Sequence, residues 1–206
     1  MRGNTYSKKQ SSEQISRKLS EFIKEIQYKN RNPVDNNVLK MLQEMETNPE
    51  LLFDSQQYLY RSRIVHSKDK LNGEYPFFGF GKDGSFVAPS ECTKDMRANY
   101  RYIPYLYCAT RPYLSVVEVR PRLGARVSVA RIRVNERLRL LDFSLQNYPK
   151  GMKPVKINLF YALSQLYSKP VTEDDDTLDY IPTQYIAEFV KRIGYDGIVF
   201  KSSLYN

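Results

Sequence analysis

The stretch from Met96 to Pro121, MRANYRYIPYLYCATRPYLSVVEVRP, sets out a strand-to-helix unit. Ile103, Tyr105 and Tyr107 alternate along its apolar run, which predicts a strand carrying those side chains on one face. Pro104 lacks a backbone donor and places that strand at an edge or a start. Thr110 ahead of Arg111-Pro112 predicts an N-cap followed by proline in the first turn, and a short helix running from Pro112 until Pro121 stops it. Glu118 then falls in the last turns, where a carboxylate gains nothing from the helix dipole. It is either solvated or held near a cation, and Arg61, Arg63 and Arg97 are the cations available.

Working outward, Leu59 to Val65 reads as a strand with Arg61 and Arg63 on the same face as Leu59 and Val65. An arginine pair on an otherwise core-like face needs an anion. The loop PFFGFGKDGSF that follows has glycines that permit positive backbone angles and close approach to a ligand. It lacks the strand-to-helix context and the Gly-Lys-Ser/Thr ending of a nucleotide-triphosphate loop. Toward the N-terminus, Ser11 and Gln14 suggest a capping box, and Ile15, Leu19, Phe22, Ile23 and Ile26 recur at helical spacing. Asn30 to Pro33 breaks that helix, and Val34, Val38, Leu42 and Met45 outline a second. The two form a helical hairpin over residues 1–56, expected to be a packing or partner-binding extension of the domain at 57–206.

Further along, Arg126 to Val134 and Leu138 to Phe143 read as strands, and Ile157 to Tyr167 as a helix with Phe160, Tyr161 and Ser164 on one face. The acidic run Glu173 to Asp176 reads as a solvated turn, since it lacks the spacing of a calcium loop. Pro182 opens a last helix striped by Tyr185, Ile186, Phe189, Val190 and Ile193, and Gly194 closes it. Asp196-Gly197 then turns into a strand over Ile198 to Lys201, with Ser202 and Ser203 where it emerges.

With two cysteines, Cys92 and Cys108, neither a disulfide framework nor a cysteine zinc site is available. Every Ser-His, Cys-His or histidine-metal arrangement rests on the single histidine, His66, in a polar stretch that reads as surface loop. These gaps move any chemistry onto Arg, Glu, Tyr and Ser, with no metal required. The net charge of +9 favours polyanionic or phosphate-bearing ligands. The basic residues are scattered, without a block that reads as a nucleic-acid tail. No segment has the apolar length of a bilayer span, and MRGNTYSKKQ lacks the core of a secretion signal, so the expected location is cytoplasmic.

From Tyr58 onward the chain resembles the RES domain family. The resemblance rests on Tyr60-Arg61-Ser62-Arg63, Arg97-Ala98-Asn99, Leu106-Tyr107-Cys108-Ala109, Glu118 to Pro121, and a serine at Ser202 or Ser203, in that order. Met96 stands where the family usually has glycine, and Asn206 falls before the final strand that usually follows the serine. The resemblance implies an α+β fold with an ADP-ribosyltransferase-like core of mainly antiparallel strands and flanking helices. It also implies a bacterial toxin that consumes NAD+, as a glycohydrolase or phosphorylase cleaving the nicotinamide–ribose bond or as an ADP-ribosyltransferase acting on a protein. An antitoxin is the implied partner, and assembly with further copies is open. The alternative from another class is a basic nucleic-acid-binding module built on the tyrosines and arginines between Arg97 and Tyr107.

The residues suit NAD+ chemistry in their own right. Cleavage builds oxocarbenium character on the ribose while the diphosphate stays doubly anionic. Planar guanidinium forks on Arg61 and Arg97, supported by Arg63, match the diphosphate. Glu118 can face the developing cation or a ribose hydroxyl. Tyr107 can stack on nicotinamide or orient it by its hydroxyl. Ser202 or Ser203, at a strand end, can hydrogen-bond the ligand, and the resemblance implies Asn99 as a further ligand-binding residue.

Overall fold

Helix α6 (Ile181–Arg192) shows how local chemistry sets an element's ends. Pro182 occupies its first turn, where a missing N–H costs nothing. Gly194 follows with φ +96, a left-handed geometry open to glycine, and its N–H reaches back to Lys191 O at 3.1 Å. The computed structural model containing this helix describes residues 3–33, 35–73, 78–146, 148–169, 177–202 and 204. Val34, the Pro76-Phe77 pair, the acidic run Glu173 to Asp176 and Ser203 lie outside the described residues. The fold is α+β, and contacts divide it into two compact units.

The first unit comprises Met1–Leu52, Met96–Ala98 and Arg139–Lys201. Its longest element, α1 (Gly3–Tyr28), begins well before the capping box expected at Ser11. No glycine or proline lies between Gly3 and Ser11, so nothing in the backbone halts the helix there. Ile15, Leu19, Phe22 and Ile26 form its buried stripe, each worth roughly 1.5–3 kcal/mol on removal from water. That stripe packs on α5 (Pro154–Ser168) and α6, with Phe22 edge-on to Tyr185 at 6.1 Å. A shorter helix, α2 (Asn37–Gln43), is capped by Asn36, whose side chain accepts from Val38 N at 2.8 Å. The N-terminal helices are thus part of this unit's core.

Three strands, β1 (Glu50–Phe53), β4 (Leu138–Asp142) and β5 (Gly197–Val199), lie in the order β1-β4-β5. β4 and β5 run parallel, with Leu141 opposite Ile198. Helix α5 buries Leu159, Phe160, Leu163, Ser164 and Tyr167, and leaves Tyr161, expected on the buried face, 57% exposed. Tyr167 stacks on Phe143 at 5.1 Å and its hydroxyl donates to Thr183 O at 2.6 Å, which satisfies the buried polar atom.

The second unit comprises Phe53–Asp95, Asn99–Leu138 and Ser202–Asn206. Its frame is an antiparallel ribbon of β2 (Tyr58–Ile64) and β3 (Val127–Arg133), with Arg61 opposite Ala130 and Arg63 opposite Ser128. Helices α3 (Lys82–Ser85) and α4 (Pro112–Glu118) pack on β2. Arg111, extended at φ −134 and ψ 144, is the N-cap of α4, not Thr110. The proline ring that follows disfavours helical backbone at Arg111 and so fixes the boundary one residue late. At the other end the helix stops at Glu118, and Arg120 turns left-handed at φ 47 before Pro121 is reached.

The strand expected over Ile103 to Tyr107 does not form. Extended chain there pairs with β2 only through one bridge, Tyr60 with Ala109, in which both N–H···O distances are 2.8 Å. Tyr102 has φ 69 and Pro104 has no N–H to give, so a regular ladder cannot be built through this segment.

Candidate functional site

Alternation along β2 assigns its side chains to two faces. Ser62 meets Ser115 of α4, with 2.7 Å between the two buried hydroxyls, and Ser115 donates in turn to Pro112 O at 2.7 Å. Helix α4 is therefore fastened to the Ser62 face, and Arg61 and Arg63 project from the opposite one. No signal in the sequence singled out this serine pair beyond a small residue in the middle of α4.

The arginine face is covered by the glycine-rich loop. Arg61 Nη1 donates to Ser85 O at 3.2 Å, and Arg63 Nη1 donates to Gly84 O. The Arg63 guanidinium carbon also lies 3.9 Å from the centroid of the Phe80 ring. Gly84 fits closely there: a Cβ would meet the Phe80 side chain at 3.1 Å, so that side chain would have to shift by a few tenths of an ångström. Gly79 likewise lies against Ser128, where a Cβ would come within 2.9 Å of the hydroxyl. The close approach expected toward a ligand is thus toward the protein's own side chains, and Gly81 keeps an ordinary φ of −66.

These two guanidinium groups are half-buried, and among the described residues no carboxylate pairs with either. Burial pulls the Arg61 pKa below its ordinary value, and the neighbouring charge of Arg63 adds to the effect. Among the described residues their hydrogen-bond partners are carbonyls at the end of a single helical turn, with the Phe80 ring against Arg63. Cys108 faces Arg61, and burial pushes its thiol up to about 11 with the guanidinium partly opposing. At neutral pH it is a protonated, unreactive group.

Tyr107 and Asn99 also come together. The Tyr107 hydroxyl donates to Asn99 Oδ1 at 2.8 Å, while Asn99 Nδ2 donates to Lys94 O at 3.0 Å and Tyr100 O at 2.9 Å. Asn99 is fully buried. It closes its own loop and orients the phenol, so the structure uses this asparagine as an anchor for Tyr107.

Glu118 is exposed at the end of α4, on the helix packed against the Ser62 face, and among the described residues no ion pair or side-chain hydrogen bond holds it. The structure does not bring it to the Arg61 face. Arg97 belongs to the first unit, where it caps α5 by donating to Leu166 O at 2.9 Å and to Lys169 O, a favourable position for a cation at a helix C-terminus. Ser202 Oγ accepts from Leu204 N at 3.0 Å, while Ser203 lies outside the described residues. His66 is exposed, its N–H bonded to Asp69 Oδ2 at 2.7 Å, as a surface turn. Among the described residues no cluster of His, Cys, Asp or Glu could hold a metal, and no helix is long and apolar enough to cross a membrane.

The RES domain model matches residues 59–206, from the strand bearing Arg61 through the tail bearing Ser202. The chain belongs to the RES domain family. No curated protein and no solved structure matches it. RES membership supports a toxin-like, NAD-related function at the level of the family. It also makes the Arg61–Arg63 pair, Tyr107 with its Asn99 anchor, and Glu118 members of one matched region.

Proposed function

We propose that this RES protein is a toxin enzyme that consumes NAD+ by cleaving the nicotinamide–ribose bond, with water or phosphate as acceptor. The observation that carries the reading is the pair of half-buried guanidinium groups on β2 that no described carboxylate neutralises. Two such groups favour a diphosphate over a single charge, because each fork can take two oxygens. Displacing the Gly84 and Ser85 carbonyls by phosphate oxygens exchanges dipole partners for full charges, which relieves the repulsion between Arg61 and Arg63.

Tyr107 offers a ring held in place by Asn99, and its hydroxyl proton is already donated, so its contribution is a stacking surface for nicotinamide. Glu118, exposed at the end of α4 and off the Arg61 face, is the carboxylate assigned to the ribose of a dinucleotide whose diphosphate lies on Arg61 and Arg63; negative charge there stabilises the oxocarbenium-like transition state. Ser202 and Ser203 are assigned supporting contacts to the dinucleotide, Arg97 is left to its role at the end of α5, and a cytoplasmic antitoxin is the proposed natural inhibitor. NAD+ is substrate here, and the chemistry calls for no metal.

Incubating the purified chain with NAD+, with and without inorganic phosphate, and following nicotinamide release tests this reading. Free nicotinamide with ADP-ribose or its phosphorylated form as co-product is the expected result. Label appearing on a protein acceptor would move the assignment to ADP-ribosyl transfer, and intact NAD+ at all enzyme concentrations would overturn it.

A further inference from the structure

Among the described residues, strand β3 uses only one of its two edges. Tyr60 exchanges both backbone hydrogen bonds with Ala109, at 2.8 Å each, so its N–H and C=O point away from β3. Its partner across the ribbon, Arg131, therefore sits in a non-hydrogen-bonded pair, with its own N–H and C=O turned outward. Val129 and Arg133, two residues to either side, share that orientation. The ends of the ribbon agree, since Val65 N donates to Arg126 O at 2.9 Å and Val134 N to Gln57 O at 2.8 Å, which puts the even-numbered residues on β2. Among the described residues, the outward groups of Val129, Arg131 and Arg133 have no backbone partner.

The side chains of the same three residues are exposed and share one face. Val129 is 44% exposed, and the Arg131 guanidinium lies 4.5 Å from the ring centroid of Tyr58, which is itself 40% exposed. Among the described residues no carboxylate pairs with Arg131 or Arg133. An open edge invites another strand, and charge decides which strand is accepted. A second copy of β3 would set arginine against arginine. A nucleic-acid strand could meet the arginines and the tyrosine ring, but it lacks the alternating donors and acceptors that the outward backbone presents.

We propose that the outer edge of β3 docks an extended acidic segment of a partner protein, added antiparallel as a further strand. Its carboxylates lie at alternate positions opposite Arg133 and Arg131, and an apolar residue lies opposite Val129. Backbone bonding supplies the register and the guanidinium pairs supply the choice of partner.

The probe is a dye-labelled peptide of sequence Thr-Glu-Val-Glu-Val-Val-Thr, titrated into the full chain by fluorescence anisotropy. Saturable binding is expected, weakened at least about tenfold by R131E/R133E, as expected for lost charge-pair contacts. Methylating the two glutamate nitrogens keeps the charge and removes the N–H groups that a hydrogen-bonded pair requires, so binding to the wild-type chain should be lost. Amide exchange at Val129, Arg131 and Arg133 should slow when the unmodified peptide binds. Absence of saturable binding, equal affinity of the methylated peptide, or equal affinity of R131E/R133E would overturn the proposal. A short oligodeoxythymidylate that binds more tightly than the peptide would assign the surface to nucleic acid instead.

Discussion

Arg139 in the first unit and the Arg61–Arg63 pair in the second show two ways a fold can treat a guanidinium group. Arg139 makes a forked contact with Glu50, at 2.9 Å from Nε and 2.5 Å from Nη2, and lies 4.7 Å from the ring centroid of Tyr195. The Tyr195 hydroxyl donates to the same carboxylate at 2.8 Å, and burial pushes that phenol up to about 12. Arg139 has its pKa raised by Glu50, and Glu50 has its own lowered by the bond to Arg139. Arg61 moves the other way, since it loses water and gains a like charge. The first arrangement is internally neutralised and serves stability. The second retains uncompensated positive charge that an anionic ligand can use.

The largest effect that would sharpen this contrast comes from removing the pair. R61A/R63A should lower kcat/KM for NAD+ on the order of 10²–10⁴-fold, from two contacts to charge worth about 1.5–3 kcal/mol each. Thermal denaturation should change little, because the fold loses two bonds to the Gly84 and Ser85 carbonyls and the Arg63 contact with the Phe80 ring, while relieving the repulsion between the two charges. A large fall in Tm with unchanged turnover would make the pair structural after all.

Glu118→Gln comes next, with a rate loss of roughly 100-fold or more for a carboxylate acting at the reacting sugar. Its exposure at the end of α4 leaves folding intact, which circular dichroism checks. Full turnover in this variant would detach the carboxylate role from residue 118 while leaving the diphosphate grip untouched.

In the first unit the expected change is in stability. Arg139→Ala should lose about 1 kcal/mol, the upper range for a partly exposed pair, with activity per folded molecule preserved. Because the folded pKa of Glu50 lies below its ordinary 4.5, its contribution is full above that value and is lost as pH falls through the folded one. Urea midpoints measured from neutral pH downward should show that acid limb shrinking in Glu50→Gln.

The smallest effect is a reactivity difference between thiols. Exposed Cys92 should react with a disulfide reagent at pH 8, while Cys108, raised from 9.0 to about 11, reacts roughly 100-fold more slowly than the same thiol would unshifted, and so more slowly than Cys92. Equal rates would mean that Cys108 does not share the dry face occupied by Arg61.

Punctuation and periodicity made much of the fold legible. Pro182 and Gly194 bound α6 because each acts through its own backbone, and the stripe from Ile15 to Ile26 needs only a helix and a core. Ser11 misled because a capping residue starts a helix only if the preceding chain does not already form one. The tyrosine alternation at 103–107 was real, yet a strand needs a partner, and β2 offers this segment only Tyr60. For the site, alternation along β2 correctly set Arg61 beside Arg63. That Ser85, 24 residues on, would meet Arg61 is a matter of loop closure that no local pattern encodes. The same limit hid the burial of Asn99 and the exposure of Glu118, which depend on what packs around them.

The most direct measurement is calorimetric titration of NAD+ into the chain bearing Glu118→Gln, so that binding is seen without turnover, compared with the same chain carrying R61A/R63A as well. Saturable binding is expected in the first and a loss of at least about 100-fold in affinity in the second. Equal affinity in the two would show that the diphosphate is held elsewhere, and would contradict the reading of β2 as the ligand grip.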